Sequence, residues 1–322
     1  MDKKNLRIVF MGTPEFAVGS LERLVEGGYN VVAVVTQPDK PVGRHGSVLQ
    51  ASAVKKYALE HNLPVLQPVK MKDPEFVEQL RSYNADLQVV VAFRMLPEVI
   101  WDMPRFGTFN VHAALLPQYR GAAPINWAVI NGETKTGVTT FFLDHDIDTG
   151  RIITQREFPI PDDADVEYVY DGLMALGAEI CQDTVDLVIE TDGNVPSQPQ
   201  EENENLKAAP KIFKETCEIK WQQPAKKIYD FVRGLSPYPG TWTTLAHKEN
   251  QQTSVLKVFK TAKTGNNCNE TPGTLKAEHG HLLVATADEW IDIIELQAAG
   301  KKRMATKDFL NGFKNAHEYE LR

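Results

Sequence analysis

Two uniformly apolar, β-branched runs, NVVAVVTQ at 30–37 and DLQVVVAF at 86–93, constrain this chain more than any other feature. A strand wetted on one face alternates apolar with polar residues, so a run without alternation needs cover on both faces, as in a parallel sheet sandwiched by helices. Neighbouring segments supply that cover. LRIVFMG at 6–12 reads as a strand closed by Gly12, and residues 15–27 carry Phe16, Leu21, Leu24 and Val25 at helical spacing. Residues 52–62 read as helix and 64–68 as a short strand. DPEFVEQLRSYN at 73–84 is helical, with Asp73 as N-cap and Pro74 in the first turn. Further strands are expected at 107–112, 137–144 and 151–160, followed by a long helix over 167–190. This alternation predicts an α/β fold with a doubly wound, mostly parallel sheet, whose site lies beyond the carboxyl ends of the strands.

The remainder reads differently. TDGNVPSQPQEENENLKAAP, 191–210, is polar and poor in large apolar residues, which suits a linker. Residues 211–322 hold a helical stretch ending in a Pro/Gly turn and then short strand-like segments separated by glycines, which predicts a small β-barrel. A chain of 322 residues with 42% apolar content is long enough for two domains, set here at 1–190 and 211–322. The net charge of −8 argues against indiscriminate coating of nucleic acid. It also hides an asymmetry: residues 210–322 hold 17 basic and 13 acidic side chains, a balance of +4, against 18 and 30, or −12, in the rest. No apolar run of membrane-spanning length occurs, and the start lacks a signal peptide's apolar core, so a cytoplasmic protein without a membrane partner is expected. Cys181, Cys217 and Cys268 stand far apart, in neither a disulfide framework nor a zinc pattern.

The chemistry concentrates in FNVHAALLPQYRGAAPIN, 109–126. Asn110 and His112 are two apart on a strand, so both face one side, about 6.6 Å apart. Alone, such a pair reads as a turn residue and a satisfied core imidazole. At the end of a strand in a doubly wound sheet, a ligand-facing role stands level with that reading. An asparagine amide can donate to an oxyanion, and a histidine can donate a second hydrogen bond or move a proton. The following strand ends in FFLDHDIDTG, which offers Asp144, Asp146 and Asp148 as orienting carboxylates. One DTG in an α/β half does not make an aspartic protease, which needs two, and the acids lack metal partners. Gly12-Thr13-Pro14 never extends to GxGxxG and no Walker A occurs, so NAD and ATP are unsupported. The loop 37–48, QPDKPVGRHGSV, carries Lys40 and Arg44, cations suited to a phosphate-bearing substrate or simply to a surface loop.

RIVFMGTPEFA, VVTQPDKPVGR, FNVHAALLPQYRGAAPIN, TGVTTFFLDHDIDTG and WQQPAKKIYDFVRGLSPYPGTW together resemble the methionyl-tRNA formyltransferases over nearly the whole chain. The resemblance implies formyl transfer from 10-formyltetrahydrofolate, a co-substrate, to the α-amine of methionyl initiator tRNA, without a metal and by an expected monomer. It assigns catalysis to Asn110, His112 and Asp148, folate contact to Ala114, Leu115, Leu116 and Pro117, and tRNA contact to Arg44. On this reading Asp148 hydrogen-bonds the imidazole. The family has serine where Ala114 stands, so a hydroxyl contact is missing there. It also implies that the second domain is an oligonucleotide-binding type of barrel; the +4 balance there suits holding tRNA, with Lys301, Lys302 and Arg303 reading equally as a contact patch or a solvated turn. The alternatives are a formyltransferase acting on a small sugar-nucleotide or ribonucleotide amine, and a folate- or RNA-binding module without catalysis.

Overall fold

The computed structural model describes residues 1–322, which form two compact units. The first draws on Met1–Gly121, Thr136–Pro159 and Tyr170–Ala208, and the second on Ala122–Lys135, Ile160–Val169 and Ala209–Arg322.

The first unit is built on a seven-stranded sheet. Its strands in chain order are β1 Arg7–Gly12, β2 Asn30–Val35, β3 Val65–Leu66, β4 Leu87–Val91, β5 Thr108–His112, β6 Lys135–Phe142 and β7 Ile152–Pro159. They lie in the order β7-β6-β5-β4-β1-β2-β3. The five from β5 to β3 are parallel, and β6 runs antiparallel to β5. The sheet is therefore doubly wound and mostly parallel, as the unalternating runs predict. Every residue of β4 is buried, including Gln88, which accepts a hydrogen bond from the Thr108 hydroxyl at 3.1 Å.

Helix Glu15–Glu26 buries Phe16, Ala17, Leu21 and Leu24, the face its periodicity marked. Gly12 makes the turn into it, since a Cβ there would lie 2.7 Å from that of Ala17 and 2.8 Å from the Val91 carbonyl oxygen. Helix Pro74–Arg81 starts as its sequence predicts, with Asp73 accepting from the Glu75 N–H at 3.1 Å, a cap worth about 1 kcal/mol. The loop at 37–50 is more ordered than its composition suggests. Lys40–Val42 and Val48–Gln50 pair as an antiparallel hairpin, and Arg44–Gly46 forms the turn at its tip.

In the second unit, β8 Thr241–His247, β9 Thr253–Asn267, β10 Leu275–Glu278, β11 His281–Ala285, β12 Glu289–Ala298 and β13 Tyr319–Leu321 lie in the order β10-β11-β12-β9-β8-β13. The Leu321 N–H donates to the Gly273 carbonyl at 2.9 Å and Thr274 bridges Glu320, which brings the two ends of the sheet together as a nearly closed barrel. Helix Ala225–Gly234 contributes Ala225, Ile228 and Val232 to the core, with Trp221 and strand residues such as Val258 and Ile293. The indole N–H of Trp221 is satisfied by the Thr243 hydroxyl at 2.9 Å. All three cysteines are free and buried, and burial pushes the Cys181 thiol up to about 12. No helix is long and apolar enough to cross a membrane.

Candidate active site

Strand alternation on β5 sends Phe109 and Val111 into the core, 0% and 3% exposed, and leaves Asn110 and His112 on the opposite face. Asn110 lies between Val90 of β4 and Phe141 of β6, and His112 lies opposite Thr139. The Oδ1 of Asn110 is buried and has no hydrogen-bond partner in the protein. A buried amide with an idle end is uncommon, because leaving it unpaired costs about 1–3 kcal/mol. Rotating the amide presents its NH2 to the same point, so the group can offer either an acceptor or a donor there.

His112 is 6% exposed, with its Nε2 on a backbone carbonyl and its Nδ1 facing a carboxylate. Its Nε2 lies 2.9 Å from the Tyr119 carbonyl oxygen, and its Nδ1 lies 3.8 Å from Asp148 Oδ2. The expected hydrogen bond between Asp148 and the imidazole is not formed at 3.8 Å, and Oδ2 accepts from the Gly121 N–H at 2.9 Å. Asp148 itself sits at φ +57, a left-handed conformation in which aspartate is better tolerated than most residues. Of the three acids in FFLDHDIDTG, Asp148 alone reaches His112. Asp144 accepts from the Asp146 N–H at 3.2 Å and from the Thr149 hydroxyl at 3.5 Å, which makes it a turn residue. Gly150 is required by packing, since a Cβ there would lie 1.6 Å from the Phe142 carbonyl oxygen.

The 113–117 segment is pinned from below. Thr139 donates to the Ala114 carbonyl at 2.7 Å and accepts from the Leu116 N–H at 3.1 Å, while Gln155 donates to the Leu116 carbonyl at 2.8 Å. Ala114 and Leu116 are thereby buried, whereas Leu115 and Pro117 stay half-buried. Sequence reasoning found neither Thr139 nor Gln155, although the register opposite His112 marks Thr139 once the sheet is known. It also missed a cavity of about 710 Å3 lined by Lys70, Met71, Lys72, Met95, Leu96 and Trp101 among others, with His145 of the Asp144–Asp148 loop in its wall. Arg44 stands elsewhere, exposed at the hairpin tip beside Val48 and Leu49, which are 57% and 69% exposed. In the second unit Arg303 pairs with Glu295 and stacks 4.2 Å from the Phe259 ring centroid, leaving Lys301 and Lys302 exposed.

The Formyl transferase family model matches residues 6–185, and the model of the Formyl transferase C-terminal domain matches 211–314. The chain belongs to the formyltransferase family. Among its relatives, the methionyl-tRNA formyltransferase of Parabacteroides distasonis is 60% identical, with 100% of each chain covered. That of Flavobacterium johnsoniae is 47% identical over 99% of each. Among solved structures, this formyltransferase superposes on a sugar 3N-formyl transferase, crystallised in the presence of dTDP and 5-N-formyl-THF, with a TM-score of 0.65. The identity there is 19%, covering 92% of this chain and 99% of the other. At that identity the likeness concerns the fold. In the formyltransferase, then, the Asn110, His112 and Asp148 constellation occupies the first matched region, and the barrel occupies the second.

Proposed function

We propose that this formyltransferase moves a formyl group from 10-formyltetrahydrofolate to the α-amino group of methionyl initiator tRNA, for translation initiation. The full-length likeness to methionyl-tRNA formyltransferases sets the substrate class. The observation that carries the chemistry is the buried, unpartnered end of the Asn110 amide, on the face of β5 that also bears His112. Folate supplies the formyl carbon. Asn110, turned to donate, and the His112 ring stabilise the negative charge that develops on the formyl oxygen as the amine attacks. The new N–C bond forms as the bond from that carbon to N10 breaks. His112, backed by Asp148, takes part in moving the proton lost by the amine towards N10.

The structure suits the co-substrate. Apolar Met71, Leu96 and Trp101 offer a surface for a flat ring system, and Lys70 and Lys72 offer charge for carboxylates, in a cavity bordered by the loop that ends at Asp148. The family resemblance adds Ala114, Leu115, Leu116 and Pro117 as folate contacts, with Leu115 and Pro117 half-buried and Ala114 and Leu116 buried. For tRNA, the hairpin carrying Arg44 and the +4 balance of residues 210–322 supply phosphate contacts. Residues 1–190 act as the catalytic domain, 191–210 as the connection and 211–322 as the tRNA-binding domain of a monomer, working in the cytoplasm where initiator tRNA is charged. The test gives the purified protein 10-formyltetrahydrofolate with charged initiator tRNA, charged elongator tRNA or a small amine such as an amino sugar nucleotide. Formylation of initiator tRNA well above both others is expected. Turnover on the small amine alone would overturn this proposal in favour of a sugar-nucleotide enzyme.

A further inference from the structure

The polar stretch 191–210 holds the residue that ties the catalytic segments together. Gln198 first anchors this stretch to β7 by reciprocal backbone hydrogen bonds with Ile152 at 2.8 and 2.9 Å. Two residues on, the Gln200 amide uses all its capacity. Its NH2 donates to the carbonyls of Asp148 at 2.7 Å and Gly150 at 2.8 Å. Its Oε1 accepts from Arg120 Nε at 3.1 Å and Nη2 at 2.9 Å. These partners fix the amide's orientation, since turning it over would set its oxygen against two carbonyls and its NH2 against a guanidinium.

What Gln200 joins matters more than the number of bonds. On one side is the loop of Asp148, whose backbone takes a left-handed φ of +57 and needs support from its surroundings. On the other is Arg120, flanked by Tyr119, whose carbonyl holds His112 Nε2, and by Gly121, whose N–H holds Asp148 Oδ2. Both grips on the pair therefore belong to the 119–121 segment, which Gln200 crosslinks to 148–150.

We propose that Gln200 is a positioning residue for formyl transfer, setting the separation of Asp148 from His112 by clamping the 119–121 and 148–150 segments to each other. This rests on the assignment of Asp148 and His112 to catalysis. The side chain touches no reacting atom and acts through those two.

The test compares Gln200→Met, which loses all four hydrogen bonds, with Gln200→Glu, which keeps an acceptor for Arg120 but cannot donate to the carbonyls. Both are expected to lower kcat about 10- to 100-fold, the loss typical of a disturbed supporting partner. KM for folate and tRNA should change less than about threefold, and the profile of kcat against pH should change shape as Asp148 shifts relative to His112. Gln200→Glu keeps an ion pair with Arg120 but sets a carboxylate oxygen against the two carbonyls, so the thermal stability of both variants is measured and kcat is read where each is fully folded, which separates positioning from loss of fold. Glu202→Ala, removing the exposed partner of Arg120, serves as a control with near-normal kcat. Turnover within about threefold of the parent in both Gln200 variants would overturn the inference, as would a loss uniform across pH that follows unfolding. His112→Ala and Asp148→Asn are measured alongside. Full activity in those two would sink the catalytic assignment, whereas their inactivity beside normal Gln200 variants would sink the clamp alone.

Discussion

Replacing His112 by alanine is expected to lower kcat/KM for formyl transfer by about 10²- to 10⁴-fold, the range for loss of a positioned proton-transfer group. The effect is large because the ring does two things at once. It shares a strand face with the idle Asn110 amide, and its Nδ1, the nitrogen not held by the backbone, faces the Asp148 carboxylate at 3.8 Å. Alanine also strands the Tyr119 carbonyl, which accepts from Nε2 at 2.9 Å, so some stability is lost with the activity. His112→Asn, which retains a donor in the same space, controls for this. It is expected to fold and bind both substrates while remaining slow. Turnover within about tenfold of the parent in a folded His112→Ala protein would remove His112 from the mechanism.

The second large effect concerns stability in the second unit. Asp230 and Arg233 on helix Ala225–Gly234 are 4% and 7% exposed. The carboxylate of Asp230 lies 2.6 Å from Lys226 Nζ and 2.8 Å from Arg233 Nη2. Arg233 donates further to the carbonyl of Ala164 at 2.9 Å. Asp230→Ala leaves a buried guanidinium without its counter-charge, and breaking such a pair from one side costs about 3–5 kcal/mol. With a urea dependence of about 1–3 kcal/mol/M, the transition reported by buried Trp221 should move down by about 1–5 M. Asp162 provides the contrast. It pairs with Lys263 at 2.8 Å, and the Lys263 ammonium holds its carboxyl below the usual range, but its side chain is 62% exposed. Solvent screening limits Asp162→Ala to about 1 kcal/mol or less. Equal shifts for the two variants would show that burial does not set the strength of the Asp230 cluster.

Much of the first unit was legible because its strands lie inside a sheet covered on both faces, which leaves uniformly apolar runs that no surface element would carry. Asn110 and His112 were legible as a pair through strand alternation, whereas the end of the following strand offered Asp144, Asp146 and Asp148 alike and only the family resemblance singled out Asp148. The hairpin at 40–50 was not, since its strands are three residues each and exposed, so no core imprints a period on them. Helix Pro124–Ile130 escaped for a similar reason, being seven residues long and opening on proline. The wall of the 710 Å3 cavity and the Gln200 clamp share a deeper cause. Their residues come from segments far apart in the chain, and Gln200 meets Asp148 across 52 positions. Nothing local in QPQEE distinguishes it from a solvated tail. For the same reason the folate expectation at Ala114, Leu115, Leu116 and Pro117 drew on segment likeness and not on any local pattern.

The central claim is that the idle amide of Asn110 is reserved for the charge that develops on the formyl oxygen. Its most direct measurement is the single-turnover rate of formylation of charged initiator tRNA by Asn110→Ala, with the dissociation constants for tRNA and folate determined in parallel. Loss of one oxyanion donor should slow the chemical step by about 10²- to 10³-fold, with both dissociation constants within about threefold of the parent. A rate within a few-fold of the parent, or a loss explained wholly by weaker binding, would contradict the claim.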